Sequence, residues 1–364
     1  MWRKLFMRIG DFGSPPKPHE PRPALSVAAL TETAFAPNPG NLRMFAYGPP
    51  GLGAGAPLVV LLHGCGQTAT GYDAGTGWSQ LAATHGFAVL AAEQKAVNNP
   101  HTCFDWFNPE DITRGEGEAA SIAAMIETML ATHKLDRRRV FITGLSAGGA
   151  MTAAMLASYP ELFAGGAMIA GLPFGAAANV RDALDVMRGA PLKTPRAWGD
   201  LVRAASPHTG PWPKISIWHG GLDTTVNISN AQASVAQWAD LHGLPLTGAR
   251  QEMVDGAIRL GWDDRLEVYT VPTLGHGAPI DAQEIGAAAP FILDAGISST
   301  TRIAAFWGLL EKPAAKPRHI PIVTPPKLAL PEIEAMLAPR QPPAVRPDNF
   351  VLRALRAAGL MRKR

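Results

Sequence analysis

The sequence predicts an α/β fold with a mainly parallel central sheet and helices on both faces. The composition allows a large core, because 47% of the 364 residues are hydrophobic and only 17% are charged. Short apolar runs of strand length recur along the chain, and helical patterns separate several of them. Buried strands that alternate with helices are typical of a parallel sheet covered on both faces.

The predicted strands are apolar runs bounded by polar or turn residues. They lie at 57–64, 87–93, 139–144, 164–171, 214–220 and 266–272. Helices are predicted at 118–133, 147–158 and 228–242. In the first helix, residues at spacings of three and four mark one face: Ile122, Met125, Ile126, Met129, Leu130 and His133. Segments 25–35 and 41–49 resemble an antiparallel edge hairpin.

The chain divides into three parts. Residues 1–24 form a Pro-rich segment, residues 25–311 carry the regular patterns and are predicted to be the catalytic domain, and residues 312–364 form a second Pro-rich segment. Prolines exclude long helices from most of this tail. It ends in a short basic amphipathic stretch at 349–364, which predicts a helix with one apolar and one basic side.

Charge and composition exclude several functions. The net charge of +3 comes with no concentrated basic face in the central region, so we expect no nucleic-acid partner. The sequence has no run of 18 or more apolar residues, so no membrane span is expected. No signal peptide is recognisable, so the expected location is cytoplasmic. Two cysteines are too few for a disulfide framework or a cysteine-based zinc site. No metal motif or phosphate loop occurs, so no cofactor and no metal are expected.

The segment "GLSAGG" at 144–149 indicates a catalytic nucleophile. It fits Gly-x-Ser-x-Gly between a predicted strand and a predicted helix, which is the setting of a nucleophile turn. The turn forces Ser146 into a strained conformation that exposes its hydroxyl. A Gly-rich turn without chemistry is the alternative for these residues alone.

A serine nucleophile needs a histidine base and an acid that orients the histidine. In the α/β-hydrolase fold the chain order is serine, then the acid, then the histidine. Asp223 stands in the loop after the strand at 214–220, although it could instead cap the following helix. His276 lies between two glycines just past the last strand. The other two histidines after Asp223 are less suitable as the base, because His242 is at a helix end and His319 is in the Pro-rich tail. The predicted triad is therefore Ser146, Asp223 and His276.

An oxyanion hole requires two N–H donors beside the serine. One donor is expected at Ala147, directly after the nucleophile. The other is expected in the loop "LLHGCGQT" after an early strand, and the Cys65 N–H is the predicted group. His63 in this loop is interpreted as structural.

Several motifs in the same order resemble the catalytic domain of poly(3-hydroxybutyrate) depolymerases and related esterases. They are "PLVVLLHGCGQTATGYDAGTGW", "CFDWF", "RVFITGLSAGGAM" and "ISIWHGGLDTTVN". The resemblance covers about residues 40–310. It implies an α/β-hydrolase fold, Ser146, Asp223 and His276 as the triad, and Cys65 in the oxyanion loop. It also implies that Cys65 pairs with Cys103 in a disulfide.

The resemblance implies a serine esterase that hydrolyses poly(3-hydroxybutyrate) or its oligomers. Secreted relatives carry an export signal and a polymer-binding module. This sequence has neither in recognisable form, so it is similar to the intracellular branch that mobilises stored polymer. Feruloyl and acetyl-xylan esterases share the core motifs and are the alternative. A hydrolase-fold binding protein is the non-enzymatic alternative, but such a protein would be expected to have a broken triad.

Two further expectations concern the substrate. If Cys65 and Cys103 are bonded, "CFDWF" brings Trp106 and Phe107 near the oxyanion loop, where aromatic walls would suit an apolar polyester. The alternative is that these aromatic residues belong to the core. The basic stretch at 349–364 could lay its apolar side on a polyhydroxyalkanoate granule. Packing of this stretch on its own domain or on a second subunit is the alternative.

Overall fold

The central sheet is built from strands in the order β1-β2-β4-β3-β5-β6-β7-β10-β9-β8. The computed structural model describes residues 30–310, and a second, two-stranded sheet pairs β11 with β12. The strands are β1 (Thr31–Glu32), β2 (Arg43–Tyr47), β3 (Leu58–Leu62), β4 (Ala88–Glu93), β5 (Val140–Leu145), β6 (Gly165–Ile169), β7 (Lys214–Gly220), β8 (Arg250–Val254), β9 (Ala257–Trp262), β10 (Leu266–Val271), β11 (Ala278–Ile280) and β12 (Ile292–Asp294).

The six central strands β4, β3, β5, β6, β7 and β10 run parallel, and antiparallel strands flank them on both sides. Each of the six predicted strands overlaps one of these central strands, and β5 extends one residue beyond its predicted range. The edge hairpin is also present, because Thr31 and Glu32 of β1 pair antiparallel with β2. The Pro-rich segments 1–24 and 312–364, with the basic stretch 349–364, lie outside the described residues.

Helices cover both faces of the sheet, as the sequence predicts. They are α1 (Ala69–Thr76), α2 (Trp78–His85), α3 (Pro109–Ile112), α4 (Gly117–His133), α5 (Ala147–Ser158), α6 (Val180–Arg188), α7 (Pro195–Ala205), α8 (Ser229–His242) and α9 (Ser299–Phe306). The three predicted helices correspond to α4, α5 and α8. Among residues 30–310, no helix has the length and apolar character needed to cross a membrane.

The core consists of two apolar layers, one on each side of the sheet. Along β3, Leu58, Val60 and Leu62 face a layer that includes α4, α5 and α8, whereas Val59 and Leu61 face α1, α2 and α9. Every residue of α5 is buried. The helix that follows the predicted nucleophile is therefore enclosed on all sides.

The hairpin of β8 and β9 is not among the predicted elements. Its strands are joined by Asp255 and Gly256, which adopt φ values of 48° and 81°. An Asp-Gly pair is a strong sequence signal for such a two-residue turn. The strand signal of β8 is weak because none of its five residues is buried, so the strand has no continuous apolar run.

The parallel arrangement brings the loops after β3, β5, β7 and β10 to one edge. Carboxyl ends of parallel strands meet at the same side of a sheet, where α/β proteins bind their ligands. Each of the four loops carries one group of predicted site residues.

Candidate active site

Ser146 lies at the turn between β5 and α5 in a conformation that L-residues rarely adopt. Its φ is 57° and its ψ is −117°. The Ser146 N–H donates to the carbonyl of Ile169 on β6 at 2.8 Å, which ties the turn to the neighbouring strand. Unlike its neighbours Leu145 and Ala147, Ser146 is not buried. The turn therefore presents the hydroxyl at the carboxyl edge of the sheet.

The flanking glycines are required by contact between backbone segments. A Cβ on Gly148 would lie 2.2 Å from the Leu62 carbonyl oxygen, and one on Gly144 would lie 2.3 Å from the Gly148 carbonyl oxygen. Both distances are far below van der Waals contact with rigid backbone atoms. The start of α5 can approach the end of β3 only because these side chains are absent.

The three predicted triad residues are joined by hydrogen bonds. His276 Nε2 lies 2.9 Å from Ser146 Oγ, and His276 Nδ1 lies 2.7 Å from Asp223 Oδ2. A carboxylate only accepts hydrogen bonds, so Nδ1 carries the proton and Nε2 is free to accept one from the serine hydroxyl. Asp223 and His276 are 53 residues apart in the chain but adjoin in space through the loops after β7 and β10.

The Asp223 carboxylate is buried and charged. Its side chain is 0% exposed. Burial alone would raise its pKa, but the hydrogen bond from His276, the neighbouring His219 and the Val226 N–H hold the pKa below its ordinary value. Asp223 Oδ1 accepts from the N–H groups of Thr225 and Val226, both at 2.8 Å. Asp223 does not cap α8, whose N-cap residue is Ile228.

The loop that carries the acid packs directly on the loop that carries the histidine. The Leu222 N–H donates to the Leu274 carbonyl at 2.9 Å. A Cβ on Gly220 would lie 2.3 Å from the Gly275 carbonyl oxygen, so the two backbones touch where a side chain cannot fit. This contact fixes the spacing of Asp223 and His276.

The predicted oxyanion donors lie in the loop after β3 and at the start of α5. Among residues 30–310, neither the Cys65 N–H nor the Ala147 N–H has a hydrogen-bond partner in the protein. The structure joins Cys65 to Cys103 in a disulfide. The Gly66 N–H donates to the His101 carbonyl at 2.8 Å, so the oxyanion loop is tied to the 101–103 segment twice.

His63 is a structural residue of the oxyanion loop. It is 1% exposed, its Nδ1 lies 2.8 Å from the Gly64 carbonyl, and its Nε2 accepts from the Gln94 N–H at 3.1 Å. Burial lowers the pKa of His63. The ring is therefore neutral and fixes the end of β3 against the end of β4.

The aromatic residues after Cys103 differ in their surroundings. Phe104 and Trp106 are buried, at 0% and 8% exposure, whereas Phe107 is only partly buried. The Trp106 and Phe107 rings meet edge to face with centroids 5.6 Å apart. Of the two residues predicted for the substrate cleft, Phe107 has the larger exposed fraction.

A buried carboxyl group holds this aromatic segment in place. Glu118 Oε2 accepts from the Asp105 N–H at 3.0 Å. The Gln94 side-chain amide donates to Glu118 Oε1 and to the Cys103 carbonyl. Burial, with the nearby carboxylates of Asp105 and Asp111, raises the pKa of Glu118 well above its ordinary value.

The same three acids form the one group in residues 30–310 that could hold a cation. Oxygens of Asp105, Asp111 and Glu118 lie within 4.8 Å of one another. Each acid also accepts a hydrogen bond from the protein. Burial and the two neighbouring carboxylates favour the neutral form of Glu118 when no cation is bound.

Two residues near the triad were not predicted. His219, inside β7, has Nε2 3.4 Å from Asp223 Oδ2. Gln67 bridges the oxyanion loop and the turn beside His276, because it accepts from the Gly64 N–H and donates to the Pro290 carbonyl, both at 2.9 Å. Their motifs, "WHGGLD" and "HGCGQ", adjoin the predicted residues and are the signal that could have found them.

We expect Gly148→Ala to abolish esterase activity and lower the thermal midpoint, because its Cβ would collide with the end of β3. Gly53→Ala is the matched control, since a Cβ there meets nothing within 4 Å. Thermal unfolding and hydrolysis of a short soluble ester measure both effects. Equal behaviour of the two variants would contradict the role assigned to the close approach.

We expect Asp105→Asn to stabilise the protein increasingly between about pH 4 and pH 6. Burial, together with Asp111, raises the pKa of Asp105 from 3.8 to about 6 despite its hydrogen bond from Asn99. A carboxyl group with a raised pKa in the folded state contributes stability at low pH and loses it as the pH rises through the folded pKa. Asp105→Asn removes the titrating carboxyl group, so the variant does not lose this stability as the pH rises. Thermal midpoints of both proteins from pH 4 to pH 7 test this, and a difference independent of pH would refute it.

Comparison with known proteins identifies the family. The family model described as Esterase PHB depolymerase matches residues 42–256. The chain is 46% identical over 296 residues to poly(3-hydroxyalkanoate) depolymerase C of Paucimonas lemoignei, which covers 78% of this chain and 71% of that relative. It is 33% identical over 278 residues to an acetylxylan esterase of Coprinopsis cinerea, covering 73% of each.

A solved structure agrees with the fold. The acetyl xylan esterase from Aspergillus awamori matches with a TM-score of 0.67 at 25% identity, covering 78% of this chain and 100% of that chain. The predicted α/β-hydrolase fold and the predicted ester-hydrolase class are confirmed by these relatives. The chain therefore belongs to the PHB depolymerase family of esterases, which are carboxylic ester hydrolases.

Proposed function

We propose that this esterase hydrolyses poly(3-hydroxyalkanoate) esters through an acyl-enzyme on Ser146. The observation that carries the proposal is the hydrogen-bonded series from Ser146 through His276 to Asp223. The 46% identity to a poly(3-hydroxyalkanoate) depolymerase supports the substrate class.

In the first half of the reaction, Ser146 Oγ attacks the ester carbonyl carbon and its proton passes to His276 Nε2. The imidazolium is stabilised by the buried Asp223 carboxylate, which also keeps the proton on Nδ1. His276 then gives its Nε2 proton to the departing alkoxide. The C–O bond of the ester breaks, the hydroxyl end of one fragment leaves, and the other fragment stays bound to Ser146.

In the second half, water attacks the acyl carbon and gives a proton to His276 Nε2. The bond to Ser146 Oγ breaks, the serine recovers its proton, and a carboxylic acid is released. No external oxidant or cofactor enters this balance. The N–H groups of Cys65 and Ala147 would donate to the oxyanion that forms in both halves of the reaction. Donors aimed at this developing charge stabilise the transition state.

A polyester offers ester carbonyls and apolar surface, with few other groups for recognition. The partly buried Phe107, packed against Trp106 near the Cys65–Cys103 disulfide, supplies an apolar surface of this kind. Acylated polysaccharide is the second candidate substrate, because relatives at 33% identity are acetylxylan and feruloyl esterases.

We expect amorphous poly(3-hydroxybutyrate) to yield 3-hydroxybutyrate and its oligomers, measured by chromatography of the released acids. Acetylated xylan and a feruloyl ester serve as parallel substrates, and Ser146→Ala as the inactive control with turnover reduced by several orders of magnitude. Faster hydrolysis of either polysaccharide ester than of the polyester would favour the second candidate.

We also propose that the protein is cytoplasmic and attaches to polyester granules through residues 349–364, whose sequence combines an apolar side with a basic side. Removing residues 348–364 should weaken granule adsorption and polymer hydrolysis but spare a short soluble ester. Sedimentation with granules and parallel rates on both substrates measure this. Equal loss on the two substrates would indicate instead that the segment packs on the protein.

A further inference from the structure

His219 lies beside the triad but has no part in the proton transfers. It is the residue before the end of β7, four positions before Asp223, and its side chain is 1% exposed. Its Nε2 lies 2.8 Å from the Val226 carbonyl oxygen and 3.4 Å from Asp223 Oδ2. It therefore contacts both ends of the loop that carries the acid.

The contact with Val226 determines which nitrogen of His219 carries the proton. A carbonyl oxygen only accepts, so Nε2 is the donor. Burial lowers the pKa of His219 in spite of the Asp223 charge. The ring is therefore a neutral donor that adds no positive charge beside Asp223.

Val226 is held at both of its backbone groups. Its N–H donates to Asp223 Oδ1 at 2.8 Å, while its carbonyl accepts from His219. The other carboxylate oxygen of Asp223 accepts from His276. A shift of the Val226 backbone would therefore alter the orientation of the carboxylate toward the histidine.

The second ring nitrogen of His219 indicates that the side chain is not there simply to fill space. Among the described residues, its Nδ1 is buried without a hydrogen-bond partner. A buried polar atom without a partner is unfavourable for stability. An apolar side chain would avoid that cost but could not donate to Val226.

We propose that His219 is a positioning residue for the acid of the triad: its Nε2–H fixes the Val226 carbonyl and thereby aligns the Asp223 carboxylate with His276. This inference rests on the proposed function of the triad. It concerns the rate of acyl transfer rather than the choice of ester, because His219 is enclosed behind Asp223.

The test compares His219→Leu, which removes the donor, with His219→Gln, whose amide nitrogen can reach the same carbonyl. The substrate is p-nitrophenyl butyrate, and the rate counted is the part abolished by Ser146→Ala. We expect His219→Leu to lower kcat by roughly tenfold to a hundredfold with KM little changed, as a small misalignment of catalytic groups does. His219→Gln should restore most of the loss.

His242 provides a matched control, because its Nε2 also meets a backbone carbonyl, that of Pro213 at 3.1 Å, at the far end of α8. His242→Leu should lower the thermal midpoint and leave kcat unchanged. If His219→Leu does not fold, His219→Asn replaces it, since the shorter amide cannot reach Val226.

Unchanged kcat in a folded donor-free variant would overturn the proposal. So would equal losses in the Leu and Gln variants, or a loss of kcat in His242→Leu as large as in His219→Leu. A soluble ester reports on the triad without the polymer, so failure of the polyester assay leaves this result standing.

Discussion

The close approach of α5 to β3 is the constraint on which the site depends. The Gly148 backbone lies so near the Leu62 carbonyl that no side chain fits between them. This contact brings the start of α5 beside the loop that follows β3. Ser146, Ala147 and Cys65 are thereby brought together at one edge, although they come from two different strand ends.

Hydrogen bonds and charge interactions hold the remaining residues of the site in position. Asp223 keeps its charge in a buried position because two backbone N–H groups and His276 bind its oxygens. Because Asp223 stays ionised, burial strengthens the attraction between its carboxylate and His276 instead of protonating the carboxylate. On the other side, the disulfide and the Glu118–Gln94 contacts hold the oxyanion loop and the aromatic segment as one unit.

The sequence predicts the central strands, the helices α4, α5 and α8, and the positions of the three triad residues, because strand-end placement and glycine spacing follow local rules. His219 escapes these rules, since a histidine within a strand resembles any other buried residue. Glu118 resembles an exposed acid at a helix start, yet tertiary contacts bury it to 2% exposure. That Cys65 and Cys103 form a disulfide follows only from the family resemblance, because the presence of two cysteines does not show whether they are oxidised.

Covalent catalysis by Ser146 is the central claim, and labelling with a fluorophosphonate tests it most directly. Mass spectrometry of the digested protein should find one adduct, on the peptide that contains Ser146, and the adduct should be nearly absent in His276→Ala. An adduct on a different residue, or an unlabelled wild-type protein that still hydrolyses esters, would contradict the account.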